Sequence, residues 1–204
     1  MALNNNINAG STTNQVFVYG ASGTTATNMS SVGSMVLLSS QPATNSASID
    51  FTGVMSSTYK SYKLMIISAI AATTTSNMTM VFSTDNGSNW DTTSGSYAFY
   101  NSVNKHATTS TDTSLGNAST TNIELSNSND ATNIMSFLID ITNPNVANAI
   151  FTKVLGSYYN AVGSAYVTVS GGGIYTPAQD VDAIRIIMSS GNITSGTFKL
   201  YGMA

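Results

Sequence analysis

Between Asp182 and Gly202, apolar and polar side chains alternate with a period of two on either side of a glycine-containing linker. No other stretch restricts the fold as much. Ile184, Ile186 and Met188 share one face of an extended segment, and Arg185 takes the other. Phe198 and Leu200 likewise share a face, with Lys199 opposed to them. Such alternation requires a sheet with one buried side. The linker Ser189–Gly196 carries the glycines and the asparagine of a hairpin loop. Ala183–Ser189 and Thr197–Tyr201 are therefore predicted to pair as the closing hairpin of a β-sandwich.

The rest of the chain repeats the theme in short runs separated by turn residues. Met1–Thr13 is rich in Asn, Ser and Thr and has little to bury, so it is expected to be an arm. Gln15–Gly20 adds one apolar patch, Val16, Phe17, Val18 and Tyr19. Met35–Ser39 is predicted as the first core strand, with a turn at Pro42, and Ser48–Thr52 follows. Leu64–Ile67 is a continuous apolar run, read either as a strand buried on both sides or as one crossing the middle of a sheet.

Met78, Met80 and Phe82 alternate with Thr79 and Val81, and Ser96–Val103 is expected to return antiparallel to that strand. Asn104–Gly116 reads as a long exposed loop. Thr121–Leu125 is expected to pair with Ile134–Thr142, and Ala149–Tyr158 and Ala165–Ser170 supply further strands. The expectation is an all-β chain: a single antiparallel β-sandwich, jelly-roll-like, over residues 35–204, with an extended N-terminal arm over residues 1–34.

Composition narrows the function. A chain of 204 residues, 42% hydrophobic, can bury one sizeable core. Its six Lys plus Arg and net charge of −3 cannot supply the phosphate contacts on which nucleic-acid binding rests. Without cysteine there are no disulfides, thiolate metal sites or cysteine nucleophiles. The start Met1-Ala-Leu-Asn lacks the pattern of a secretory signal. Leu64–Ala72, the longest apolar stretch, is too short to span a bilayer, so no membrane insertion is expected.

Ser83-Thr-Asp-Asn-Gly-Ser-Asn-Trp90 is the sharpest local motif. It is similar to the Asp-box turn, Ser-x-Asp-x-Gly-x-Thr-Trp, with Asn89 where that pattern has Thr. Ser83, Asp85, Gly87 and Trp90 are assigned to the turn itself. Asp85 would accept backbone N–H groups, Gly87 would take positive φ, and Trp90 would cover the loop. Asp boxes occur in sialidases, where they are structural, so the motif is read here as structural too.

The run Ile184–Gly202, together with Ser39–Gln41, Ala47–Thr52, Tyr59–Leu64 and Phe82–Trp90, resembles the C-terminal module of tailed-bacteriophage virion proteins. The likeness covers Ser39–Gly202 with gaps. Gln15–Gly23 resembles the short strand-and-glycine segments of phage fibres. The resemblance implies a part of the virion and leaves tail and head open.

No catalytic set converges in the sequence. His106, the only histidine, stands beside Lys105 in a polar segment and reads as a solvated surface residue. A glycosidase would need two of the nine carboxylates across a cleft. Asp180 and Asp182 suit a turn better than a calcium site, which needs more oxygens than this segment offers. Asp140, inside Phe137–Ile141, is expected on the outer face of a sheet. Tyr97, Tyr100 and Tyr175 are candidate glycan contacts, with core and intersubunit packing as the competing reading. Gly171–Gly173 reads as a bulge or a close approach of backbones.

The expected function is a non-enzymatic structural component of a bacteriophage virion, a tail-fibre or appendage protein with no catalytic, cofactor or metal site. It would dock through its arm, with Val16–Tyr19 as the oligomerisation and attachment patch. It is expected to form a homo-oligomer, a trimer, to bind other virion proteins and to contact host surface glycan. A capsid decoration or cement protein is the alternative, and a glycan depolymerase ranks behind both.

Overall fold

A computed structural model describes residues 35–106, 112–144 and 146–203, and every regular element among them is a β-strand. The arm over residues 1–34, with Val16, Phe17, Val18 and Tyr19, lies outside the described residues. In chain order the strands are β1 (Met35–Ser46), β2 (Ser48–Phe51), β3 (Ser61–Ala71), β4 (Met78–Ser83), β5 (Tyr97–His106) and β6 (Thr113–Thr120). These are followed by β7 (Ile123–Glu124), β8 (Met135–Thr142), β9 (Ile150–Asn160), β10 (Ala165–Tyr175), β11 (Ala183–Met188) and β12 (Ile193–Met203).

They build two antiparallel sheets that pack as a β-sandwich. The larger has eight strands in the order β1-β12-β3-β8-β9-β10-β5-β6, and the smaller has four, β2-β11-β4-β7. Alternation places the core between them. Met135, Phe137, Ile139 and Ile141 of β8 and Phe198 and Leu200 of β12 point inward from the larger sheet. Phe51, Met80, Phe82, Ile184 and Ile186 meet them from the smaller one. Each such side chain contributes about 1.5–3 kcal/mol of hydrophobic stabilisation, which offsets the entropy of ordering the strands.

The pairing differs from the expected pairing in three places, for one physical reason. β11 and β12 do not form a closing hairpin: β11 pairs with β2 and β4 in the small sheet, and β12 with β1 and β3 in the large one. Nor does β5 return beside β4; it pairs with β10 and β6. β7 pairs with β4, and β8 with β3 and β9, so Thr121–Leu125 and Ile134–Thr142 are not partners. In a sandwich, two consecutive amphipathic strands bury their apolar faces equally well side by side or opposite one another. Period-two patterning carries no information about which occurs.

Further local expectations change or are decided between their alternatives. β1 is an edge strand that runs straight through Pro42, where a missing N–H interrupts no ladder if it faces away from the partner strand. Of its residues only Ala43 is buried, so it is not a core strand. Of the segment expected as a long loop, Asn104–His106 belongs to β5 and Thr113–Gly116 to β6, and residues 107–111 lie outside the described residues. β3 crosses within the large sheet with Tyr62, Leu64 and Ile66 buried and Ile67 exposed, so it is buried on one face and not on both. Gly171–Gly173 holds unbroken register with both neighbours, so it is not a bulge. It is a close approach: a Cβ at Gly171 or Gly172 would collide with the carbonyl oxygen of Tyr100 or Thr152.

Candidate functional site

The Ser83–Trp90 turn leaves the end of β4 and carries the chain from one sheet towards the other. Asp85 Oδ1 accepts from the Ser83 hydroxyl (2.8 Å) and the Asn89 N–H (2.7 Å), and Oδ2 accepts from the Asn89 side-chain amide (2.7 Å). The Asn89 amide, then its N–H and the Ser83 hydroxyl, hold the Asp85 carboxyl below the ordinary aspartate value. Asn89 thus fills the place of the usual threonine with an extra bond to the carboxylate. Gly87 has φ +84°, and its N–H donates to Ser83 Oγ at 2.9 Å.

The turn is fastened to the small sheet from several sides. Asn86 N–H donates to Asp182 Oδ1 (2.8 Å), and Asn86 Oδ1 accepts from Gly53 N–H (2.5 Å). The Arg185 guanidinium lies 4.4 Å from the Trp90 ring centroid and forks onto Asp50 at 2.8 and 2.6 Å. Asp85 and Asp182 are therefore occupied by the backbone and side chains of this turn.

Tyr97 and Tyr175 cannot touch a glycan, because they are 0% and 1% exposed. They stand opposite each other in register and form a buried cluster with Phe82, their own ring centroids 4.9 Å apart. Tyr175 donates to Asp91 Oδ2 at 2.9 Å, and burial pushes both phenols well above the usual tyrosine range. Tyr100 is 63% exposed. The offset of three residues between Tyr97 and Tyr100 on one strand already excludes both from one face, a signal present in the sequence.

The other polar candidates are placed apart. His106 ends β5, exposed, with Nε2 3.3 Å from Thr168 Oγ1. Asp140 lies on the outer face of β8 and pairs with Lys63. Among the described residues, no group of three or more His, Asp or Glu side chains is arranged to hold a metal. Sequence reasoning assigned no role to Glu124. It is half-buried, with Oε1 accepting from the amides of Asn77 (2.6 Å) and Asn127 (3.2 Å), and burial pushes its carboxyl upward.

A groove of about 660 Å³ lies on the outer face of the large sheet, over β9, β10, β5 and β6. One register row crosses this face from Leu37 through Tyr201, Lys63, Asp140, Lys153 and Gly172 to Tyr100 and Gly116. Tyr100 is thus flanked by glycines on both neighbouring strands. Its ring lies across Gly116, where a Cβ would come within 2.9 Å of Tyr100 Cδ2. Phe151, 60% exposed, forms the other wall beside Ile174, and Ala98 and Gly172 lie between. Among the described residues, no charged side chain lines the groove. It is a shallow surface, uncharged among the described residues, with Phe151 at one side and Tyr100, leaning over Gly116, at the other.

No protein-family model, curated protein or solved structure matches this chain.

Proposed function

We propose that this protein is a non-enzymatic structural component of a bacteriophage virion, of the tail-fibre or appendage type. In this reading residues 1–34 attach it to the particle or to further copies of itself, and the sandwich presents a contact surface. The single observation that carries the reading is the outer face of the eight-stranded sheet. It is broad, and it exposes Tyr100, Phe151, Leu155 and Ile67 around the charges Lys63, Asp140, Lys153 and Lys199. An exposed apolar face of this kind suits contact with another surface. The resemblance of Ser39–Gly202 to virion proteins supports the same conclusion, as does the commitment of Asp85 to a structural turn.

Locating the chain in intact particles by labelled-antibody electron microscopy is the test. Label at the tail or its fibres is the expected result, label on the head would move the protein to the decoration class, and particles without label would remove the reading. Deleting Met1–Ser34 is expected to leave a folded sandwich that no longer enters particles. Light scattering on the full-length protein is expected to report a trimer, and a monomer would remove the trimer assignment.

A further inference from the structure

We propose that the free edge of β6 pairs antiparallel with the same edge of a second copy of this chain, joining two large sheets into one. The inference goes beyond the virion reading above and does not rest on it. It begins from the four sheet edges, β1, β6, β2 and β7. An unpaired edge offers backbone N–H and C=O groups to any other strand, and most edges carry something that prevents this. β2 and β7 are short, with four and two residues. β1 carries Pro42, and its register shifts between Leu37 and Ser39. β6 has neither defence. It runs for eight residues, Thr113–Thr120, without proline or charge, and among the described residues it pairs only with β5.

The faces of β6 select the register. Thr113, Leu115 and Asn117 stand opposite Val103, Asn101 and Phe99, all buried, so they face the core side. Ser114 and Gly116 stand opposite Ser102 and Tyr100 and face outward. In an antiparallel pair, residues directly opposite one another share a face. A two-fold axis at Leu115 meets that condition along the whole regular ladder. Thr113 falls opposite Asn117 of the second copy, Ser114 opposite Gly116, and Leu115 opposite itself. Past Asn117 the regular ladder ends: Asn117 Oδ1 accepts the Ser119 N–H at 3.0 Å, and the register against β5 shifts. An axis at any neighbouring residue therefore shortens the match.

Leu115 is the one large apolar side chain of β6 and is only half-buried against the core, so the pairing extends its burial. On the outer face Tyr100 leans over Gly116, and one such tyrosine from each copy covers the joint. Because β6 is uncharged, no like charges meet across it. The joint is short beside an ordinary stable interface. It forms between copies at high local concentration and does not set the size that light scattering reads on dilute protein.

The chain has no cysteine, so single introduced cysteines report the register. Full-length variants at high concentration would be mildly oxidised and read on denaturing gels without reductant. Leu115→Cys should give a covalent dimer. Thr113→Cys and Asn117→Cys, each beyond disulfide reach of its own copy, should give about tenfold less alone and should couple to one another when mixed. Both positions are exposed, so the mixture tests the joint even where Leu115→Cys weakens folding. Ser114→Lys, added to Leu115→Cys, puts a cation from each copy on the joint and should lower the yield about tenfold. Circular dichroism melting checks the fold of each variant.

No covalent dimer from Leu115→Cys or from the mixture would overturn the proposal, whichever other segment fills the edge. So would equal yields from all three single variants, or a yield that Ser114→Lys leaves unchanged. Coupling by a protein that electron microscopy does not find in particles would sink the virion reading and leave the joint intact. Labelled particles without coupling would sink only the joint.

Discussion

The phenol oxygen of Tyr97 accepts the Phe82 N–H at 2.9 Å and donates to the Asp91 carbonyl at 2.9 Å, so one side chain bridges the two sheets. Phe82 belongs to β4 and Tyr97 to β5, strands that share no ladder. The hydroxyl replaces the ladder bonds that would have joined them as a hairpin. Tyr97→Phe keeps the ring and removes both bonds, leaving a buried N–H unpaired, and is expected to cost about 1–3 kcal/mol. Urea denaturation should show the midpoint falling with an unchanged slope.

Gly87 is the second test of the same connection. Its φ of +84° is a left-handed conformation, and a Cβ there would come within 2.5 Å of Thr52 Cγ2. Gly87→Val combines that collision with a β-branched residue at positive φ, and should destabilise by about 1–3 kcal/mol. A melting temperature equal to that of the parent would show that the turn does not depend on this geometry.

Glu124 predicts a dependence on pH. Burial raises its folded pKa above the ordinary glutamate value, so the charged form is the one that costs stability. That cost is absent below the unfolded value near 4.5, grows as pH rises through the folded pKa and is complete above it. Glu124→Gln keeps an Oε1 acceptor for Asn77 and Asn127 and removes the charge. Its melting temperature should exceed that of the parent at pH 7, and the two should converge at pH 3. A constant difference across that range would contradict the assignment.

Arg185 does two things at once: it stacks on Trp90 and forks onto Asp50. Lysine keeps the charge but loses the planar stack and the second bond, so Arg185→Lys is expected to cost about 1 kcal/mol. A double-mutant cycle with Asp50→Asn should show coupling between the two positions. Additive effects would mean that the fork contributes nothing measurable.

What the sequence by itself determined is local: strand identity, strand face and turn chemistry. The faces of β11 and β12 follow from the alternation of Ile184, Arg185 and Ile186 and of Phe198, Lys199 and Leu200, because neighbouring side chains on a strand point to opposite sides. The Ser83–Trp90 turn was legible because its residues bond mostly to one another, at separations of two to four positions. Partner choice was decided only in the tertiary structure. β11 and β12 lie in opposite sheets because burial against the facing sheet satisfies the same pattern as burial beside a neighbour.

The groove belongs to that second category. Tyr100, Gly116, Gly172 and Phe151 are brought together from four strands by a register that links positions as many as 72 residues apart. Tyr97 and Tyr100 look alike in composition, yet one closes the core and the other meets solvent. Strand phase sets them on opposite faces, and only the position of the second sheet decides which face becomes the inside.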